Sequence, residues 1–313
     1  MVVVPQGGSR LWKILVITTL SVTFLTTGCV YRKRVIKRQG ALPNQQLLTA
    51  SKDTLLLQIA ERFKTLQTLN ATVDLLPSIG SAGKGSITEY KDVRGYILYR
   101  QPEDIRVIGL YPVVRGRAFD MVSDGSVFRL FLPAKNLFIQ GNNVIGVPSK
   151  NKLENLRPQH FLDALIVRPP DAGLSTTMIN LTDEDQADYI IEIIDVDQKT
   201  VSIKRQLWFD RLNLRLSRQL VFNADGEITS DTRYSGWQIF DGIEFPKQID
   251  INRPLDEYGV QLVVQKLEAN VPLEQARFEL TAPEGSDLRV LGSGPASGGS
   301  ENLLAPSKGS ISK

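Results

Sequence analysis

The stretch RGYILYRQPEDIRVIGL, residues 94–110, indicates how this chain of 313 residues folds. Aromatic and branched apolar residues stand on both sides of the segment 101–104, which contains the turn-forming residues Pro102 and Asp104. A connection of this length permits a hairpin and leaves no room for a crossover helix. We therefore predict two antiparallel strands, at 94–100 and 105–110.

Short strand-like segments separated by short turns recur along most of the chain. Asp-Gly pairs at 124–125, 225–226 and 241–242 favour hairpins. A sheet of about a dozen antiparallel strands must curl or pack on itself, so we predict a mainly β fold built on one strongly curved sheet. The other predicted strands are 71–76, 85–90, 117–123, 126–132, 136–140, 189–195, 201–210, 215–223, 228–237, 243–251 and 260–269.

Two segments have the spacing of apolar side chains that is typical of amphipathic helices. The first is 51–69, where the Ser51 hydroxyl can cap the first turn. The second is 159–167, which follows Pro158, a residue favoured in the first turn of a helix. Each apolar face needs a partner surface, and the concave side of the curved sheet provides one. We therefore expect both helices to form a lid.

The N-terminus has the features of a cleaved export signal. Arg10 and Lys13 precede an apolar segment at 14–25, which is too short for a membrane-spanning helix of about 20 residues. This segment ends near Cys29, the only cysteine of the chain, and resembles a bacterial lipoprotein signal peptide. We predict that Cys29 carries the lipid. An ordinary signal peptide with an incidental cysteine and an uncleaved anchor remain alternatives.

The residues after Cys29 divide the chain further. Five basic residues within 31–38 make a linker, 29–46, that is either attracted to anionic headgroups or simply solvated. The remaining charge is close to balanced, so a nucleic-acid partner is not indicated. We predict a signal peptide at 1–28, the folded domain at 47–290 and a disordered tail, rich in Gly and Ser, at 291–313.

Several motifs resemble the LolA/LolB superfamily of bacterial lipoprotein-localisation proteins. They are the Arg-Gln-Pro motif and following strand at 100–107, the Asp-Gly hairpin at 124–133 and the region 214–251. The segment 276–285, which ends in Pro and Gly, is similar to the C-terminal strand of that family, and the helix at 51–69 to its first helix.

This resemblance implies an incomplete β-barrel closed by helices, which holds acyl chains in an apolar hollow. It also implies an outer-membrane lipoprotein facing the periplasm, since Val30 is not the Asp that retains such proteins in the inner membrane. The partners would be membrane lipids, lipidated proteins or a periplasmic carrier. The residues that we expect in the core or against the ligand are Ile97, Tyr99, Ile108, Leu110, Phe128, Leu130, Phe131, Leu207, Phe209, Leu220 and Phe222.

The segment 110–116 lies where LolB has a protruding apolar loop. By this resemblance, Tyr111, Val113 and Val114 are candidates for insertion into a membrane. The alternative is an ordinary hairpin whose valines turn into the core.

Candidate catalytic and metal-binding residues are few. His160 is the only histidine, and Asp163 is the only carboxylate close to it in sequence. The acidic cluster at 183–188 lacks the ligand spacing of a calcium loop and is expected to be a solvated turn. We therefore predict neither catalysis nor a cofactor nor a metal.

The alternative to a protein that binds acyl chains is a structural or assembly lipoprotein whose barrel is filled by its own side chains.

Overall fold

The computed structural model of the protein describes residues 45–291, apart from 82, 84, 112–115, 144–155 and 198. The predicted signal peptide, Cys29 and nearly all of the basic linker lie outside the described residues, as do Val113, Val114 and all but the first residue of the predicted tail. In the part that is described, no helix combines the length and the apolar character that crossing a bilayer requires.

The described chain contains two α-helices and fifteen strands in a single sheet. The helices are α1 (Lys52–Thr65) and α2 (Pro158–Leu165). The strands are β1 (Thr68–Ser81), β2 (Ser86–Glu89), β3 (Val93–Arg100), β4 (Asp104–Leu110), β5 (Arg117–Ser123), β6 (Val127–Leu132), β7 (Leu137–Asn142), β8 (Ser175–Thr182), β9 (Ala187–Val196), β10 (Val201–Asp210), β11 (Arg215–Phe222), β12 (Ile228–Phe240), β13 (Ile243–Arg253), β14 (Tyr258–Ala269) and β15 (Asp287–Leu291).

The sheet consists of two meanders that meet at one pair of strands. Its order is β15-β7-β6-β5-β4-β3-β1-β14-β13-β12-β11-β10-β9-β8, and β2 pairs with the far end of β1. Every pair is antiparallel except β15 with β7. The path ends at β15 and β8, which do not pair with each other, so the sheet is open. The predicted curved antiparallel sheet under a helical lid is confirmed.

The hairpin turns follow from local backbone requirements. Gly125 and Gly226 have φ of 90° and 79°, in the left-handed region that glycine adopts without a steric penalty. Asp241 and Gly242 both have positive φ, as a two-residue hairpin loop of the primed type requires. All three predicted Asp-Gly turns therefore connect neighbouring strands.

Helix α1 is shorter than predicted. The Ser51 hydroxyl accepts a hydrogen bond from Thr54 N at 3.1 Å, as expected of the N-cap. The helix ends at Thr65, however, and Leu69 already pairs with Tyr99 and Ala269 in the sheet. The wrong boundary has a physical reason, because ladder hydrogen bonds and burial in the sheet outweigh the local preference for a helix.

Helix α2 begins at Pro158, as predicted, and nearly all of its side chains are buried. It contacts β4, β5 and β13, which belong to both meanders. Its apolar residues and those of α1 join the inward-facing side chains of the sheet in one core. Here "inner face" means the face of the sheet that packs on these helices, and "outer face" the opposite one.

The C-terminal region differs from the expectation. Residues 276–285 are not a strand, since Gln275–Phe278 forms a 3-10 turn. Phe278 packs with Leu98 and Leu273 in a small second core, and the Arg100 guanidinium lies 5.0 Å from its ring. These contacts hold the segment outside the sheet. The next strand, β15, was not predicted, and neither was β8.

Candidate functional site

An apolar cavity of ≈ 360 Å³ lies between the inner face of the first meander, the start of β14 and helix α2. It opens at the end of the sheet where β4 ends and β5 begins. Among the described residues of its wall, Lys91 is the only charged one. The lining residues are Leu75, Pro77, Ser78, Ile79, Tyr90, Lys91, Val93, Ala118, Phe119, Leu130, Leu132, Leu156, Phe161, Tyr258, Gly259 and Val260.

The wall has a buried floor and an exposed rim. Leu130 and Phe161 are at most 2 % exposed and form part of the floor. Tyr90 is 51 % exposed, and Lys91 beside it is also exposed, so both belong to the rim. A ligand would therefore meet hydrocarbon at depth and a charge at the entrance.

Two glycines make room for the wall on the inner face. Gly95 and Gly109 are paired across β3 and β4, and Gly109 also pairs with Phe119 of β5. A Cβ atom added to Gly109 would lie 2.3 Å from Cε1 of Phe119, so the ring lies directly over this glycine. Only a residue without a side chain permits this approach.

Three hydrogen bonds fix α2 to strands of the second meander, one of which is β14. The Tyr234 hydroxyl donates to the carbonyl oxygen of Ala164 at 2.9 Å, and Nε2 of Gln219 donates to that of Asp163 at 3.1 Å. Nδ1 of His160 shares a hydrogen bond with the Tyr258 hydroxyl. The helix is therefore a fixed partition within the hollow.

A second, much smaller space of ≈ 30 Å³ lies on the other side of this partition. It is lined by α1, by the end of α2 and by the second meander, and it shares no lining residue with the cavity. Leu165 and Ile166 of α2 face this space, whereas Phe161 faces the cavity.

Burial keeps the polar groups beneath the cavity uncharged. Desolvation lowers the pKa of His160 well below its ordinary value, and the charges of Arg253 and Arg157 lower it further. Desolvation also raises the pKa of Tyr258 far above its ordinary value. At neutral pH the two groups form a neutral pair, and the Tyr258 ring presents an apolar surface to the cavity.

Large apolar side chains are exposed around the cavity entrance. Ile87 in β2 is 59 % exposed, and Tyr111, directly after β4, is 39 % exposed. The backbone N–H of Tyr111 donates to the carbonyl oxygen of Gly116 at 2.9 Å, between the end of β4 and the start of β5. Of these exposed apolar residues Tyr90 lines the cavity itself, and exposed apolar side chains beside a cavity are typical of an interaction site.

The predicted lining residues fall into three groups in the structure. Leu130 lies in the cavity wall. Five are buried in the core of the inner face, namely Ile97, Tyr99, Phe128, Leu207 and Phe209. Five have the opposite parity in their strands and lie on the outer face, namely Ile108, Leu110, Phe131, Leu220 and Phe222.

Sequence reasoning missed most of the wall. Leu132 lies two residues after Leu130 and thus on the same face of β6, a signal that was present in the alternation. Phe161 lies within the predicted helix 159–167, but nothing in the sequence indicates that it borders a cavity. The role of Gly109 depends on a neighbour in another strand, which the sequence does not identify.

Within the described part of the chain, no group of three or more His, Cys, Asp or Glu residues could hold a metal ion. His160 is hydrogen-bonded to Tyr258, and the backbone carbonyl oxygen of Asp163 accepts a hydrogen bond from Gln219. The arrangement is thus suited to burying an apolar ligand.

Comparison with protein-family models gives no match, and neither does comparison with the sequences of curated proteins. Among solved structures, a LolA superfamily protein of Nitrosomonas europaea is similar over 72% of this chain and 97% of its own, with 16% identity and a TM-score of 0.47. A domain described as an outer membrane lipoprotein-sorting protein, from Vibrio parahaemolyticus, is similar over 72% of this chain and 94% of its own, with 12% identity and a TM-score of 0.48.

A DUF1329 family protein of Desulfovibrio piger is similar over 72% of this chain and 95% of its own, with 15% identity and a TM-score of 0.46. At these identities the similarity concerns the fold.

Proposed function

We propose that this protein is a non-catalytic lipoprotein of the bacterial outer membrane that holds an acyl chain, of a lipid or of a lipidated protein, in the cavity beside α2. The observation that carries the proposal is the cavity itself, with its apolar floor and, among its described lining residues, a single charged one at the rim. Each methylene buried there contributes about 0.8 kcal/mol, so binding needs no strong polar contact. Such a protein would serve the localisation of lipids or lipoproteins.

The proposed location depends on Cys29 and on the basic linker that follows it. An acyl anchor at Cys29 would keep the domain within a linker's length of the membrane, on its periplasmic side. The exposed Ile87, Tyr90 and Tyr111 support an approach of the cavity entrance to the lipid surface. Val113 and Val114 would extend this contact.

The anchor has a direct test. Cells that express the full chain are labelled with radioactive palmitate, and the Cys29→Ser variant is expected to lose the label and to leave the membrane fraction. The matched control is Ser51→Cys in the Cys29→Ser background, which restores a thiol elsewhere and is expected to stay unlabelled. Label on the Cys29→Ser protein would refute the anchor.

Ligand binding is tested by narrowing the entrance. Val93 lines the cavity near its rim and is half-buried, so Val93→Trp places a large ring in the opening without disturbing the floor. We expect a fluorescent fatty acid to bind to this variant at least about tenfold more weakly, because the loss of about two buried methylenes already has that effect.

The matched control makes the same change at Val201, which is 71 % exposed at the start of β10 and distant from the cavity wall in the sheet order. Val201→Trp is expected to bind as the unmodified chain does. Equal binding by both variants, with circular dichroism showing both folded, would place the ligand elsewhere.

A structural or assembly role without a lipid ligand is the second candidate. Helix α2 occupies much of the hollow, and five of the predicted lining residues belong to the core. Failure of the unmodified chain to bind any fatty acid would favour this function.

A further inference from the structure

The volume of the cavity limits how many acyl chains it can hold. A cavity of about 150 Å³ holds one benzene molecule, which sets about 25 Å³ for each ligand carbon. At that ratio the ≈ 360 Å³ of this cavity corresponds to about 14 carbon atoms. Two chains of the length found in membrane lipids need about twice this space.

The cavity cannot gain the missing space at its inner end. Helix α2 separates it from the second space, which has only ≈ 30 Å³. Moving the helix aside would break its hydrogen bonds to Tyr234, Gln219 and Tyr258 and would expose its buried apolar side chains. The depth available to a ligand is therefore set by this partition.

The distribution of polar groups gives the ligand a direction. At the floor, the Tyr258 hydroxyl is already engaged by His160, so no free polar group of Tyr258 faces a ligand. At the rim, Lys91 provides a positive charge in contact with solvent. The methyl end of a chain suits the floor, and an anionic head suits the rim.

We infer that the cavity takes a single acyl chain of about 14 carbons whose anionic head, a carboxylate or a phosphate, stays at the rim beside Lys91. The inference rests on the proposed function and narrows its ligand class to single-chain anionic lipids.

The test measures competition against a dansyl-labelled fatty acid bound to the full chain, which is kept in solution with an amphipathic polymer. The competitors are decanoic, dodecanoic, tetradecanoic, hexadecanoic and octadecanoic acids. We expect affinity to rise about fourfold per methylene up to about 14 carbons and then to stop rising, because further methylenes remain in water. A continuous rise up to octadecanoic acid would overturn the chain-length limit.

Two further competitors distinguish the source of the head group and the number of chains. Myristoyl-lysophosphatidylglycerol is expected to compete as tetradecanoic acid does, if phosphate and carboxylate are both accepted at the rim. Dimyristoyl phosphatidylglycerol is expected to compete at least about tenfold more weakly, because binding would withdraw both chains from a bilayer while the cavity buries only one of them. Equal or better competition by the two-chain lipid would overturn the single-chain inference while leaving the proposed function intact, whereas absence of probe binding would refute both.

Two variants connect these results to the cavity. Leu130→Ala removes three carbons from the floor and is expected to move the length limit to chains about two to three carbons longer. Leu207→Ala is the matched control, because Leu207 is equally buried at 0 % exposure but is no part of the wall. Should Leu130→Ala fail to fold, Leu130→Val, which removes one carbon, is measured in its place. A length limit that either floor variant leaves unchanged would overturn the inference.

Lys91→Gln tests the head group. It is expected to weaken the binding of tetradecanoic acid about two- to fivefold, the range of an exposed ion pair, and to leave tetradecanol unaffected. Equal weakening of both ligands would overturn the role of Lys91.

Discussion

The Asp120→Asn variant is expected to unfold with a free energy about 3–5 kcal/mol below that of the unmodified chain. Asp120 is fully buried on the outer face of β5, at 0 % exposure. Its two oxygens accept hydrogen bonds from Nε and Nη2 of Arg106 at 2.9 and 2.7 Å, and Arg117 Nη1 donates to it at 3.0 Å. The amide would leave the Arg106 guanidinium, whose side chain is 14% exposed, without its counter-charge.

The effect would extend beyond the ion pair. Nη1 of Arg106 donates to the carbonyl oxygen of Arg277 at 2.9 Å, so the same guanidinium also fastens the segment that crosses the outer face. We therefore expect proteolysis to cut the variant near the 3-10 turn at Gln275–Phe278 sooner than the unmodified chain. The free energy is measured by urea denaturation.

The matched control is Asp74→Asn. Asp74 is also bound by an arginine, since Arg94 Nε donates to it at 2.9 Å, but the Arg94 side chain is 55% exposed. Exposed pairs contribute at most about 1 kcal/mol, because water replaces the lost partner. Equal losses in both variants would show that burial does not decide the contribution of Asp120.

The second prediction concerns His160 and pH. Because its pKa in the folded protein is well below the ordinary value, the unfolded chain takes up a proton there first as the pH falls. The contribution of His160 to the free energy of unfolding is therefore expected to fall below about pH 6.5, by about 1.4 kcal/mol per pH unit. Replacing His160 with Asn, whose amide can keep the hydrogen bond to Tyr258, should remove this dependence.

Asp188 has the opposite effect on the pH dependence of stability. The effect of His160 is therefore seen only when the unmodified chain is compared with the His160→Asn variant. Burial, and secondarily the charge of Asp210, raises its pKa to about 6 in the folded protein. Its contribution to stability is therefore complete below the unfolded pKa of about 3.9 and is lost as the pH rises towards 6. The unmodified chain should change little between these values, whereas His160→Asn should gain stability as the pH falls.

The difference in unfolding free energy between the unmodified chain and His160→Asn isolates the histidine, since it is the only one in the chain. Tyr258→Phe is the control, because it removes the hydrogen bond but leaves His160 buried. It should lower stability by about 1–3 kcal/mol while keeping the slope with pH. Parallel pH curves for the unmodified chain and His160→Asn would contradict the assignment.

The strands with strong apolar patterns were predictable because each is bounded by turn residues with a definite backbone requirement. β5 and β10 have the predicted bounds, and the Asp-Gly turns are where the sequence places them. β8 and β15 were missed because they are edge strands with little to bury, so their sequences lack a clear apolar alternation.

The face of the sheet on which each side chain lies was less predictable than the positions of the strands in the sequence. In β11, alternation from Leu216 places Gln219 on the wet face, yet Gln219 is 2 % exposed and bonded to α2. The cause is a register shift opposite Trp208 and Phe209, where one extra residue of β11 reverses the alternation. Leu220 and Phe222 are moved to the outer face by the same bulge.

The cavity was not predictable from any one segment. Its walls come from five strands and a helix, and its size depends on which inner positions α2 leaves uncovered. The apolar character of the hollow followed from the sequence, but its volume depends on packing between distant residues. Phe119 over Gly109 is one such contact.

The meeting of the two meanders at β1 and β14 has a consequence for biosynthesis. The Asn70 side chain donates a hydrogen bond to Glu268, which lies 198 positions later in the sequence. The edge of β1 that pairs with β14 is therefore covered only after almost the whole domain has been synthesised. Each meander can form early, because its contacts join neighbouring strands. Pairing β1 with β14 comes at a larger loss of conformational entropy, because it closes a loop that includes both meanders. During synthesis, β1 would therefore present an open strand edge to other polypeptides until β14 emerges, and a factor that shields nascent chains would act in that interval.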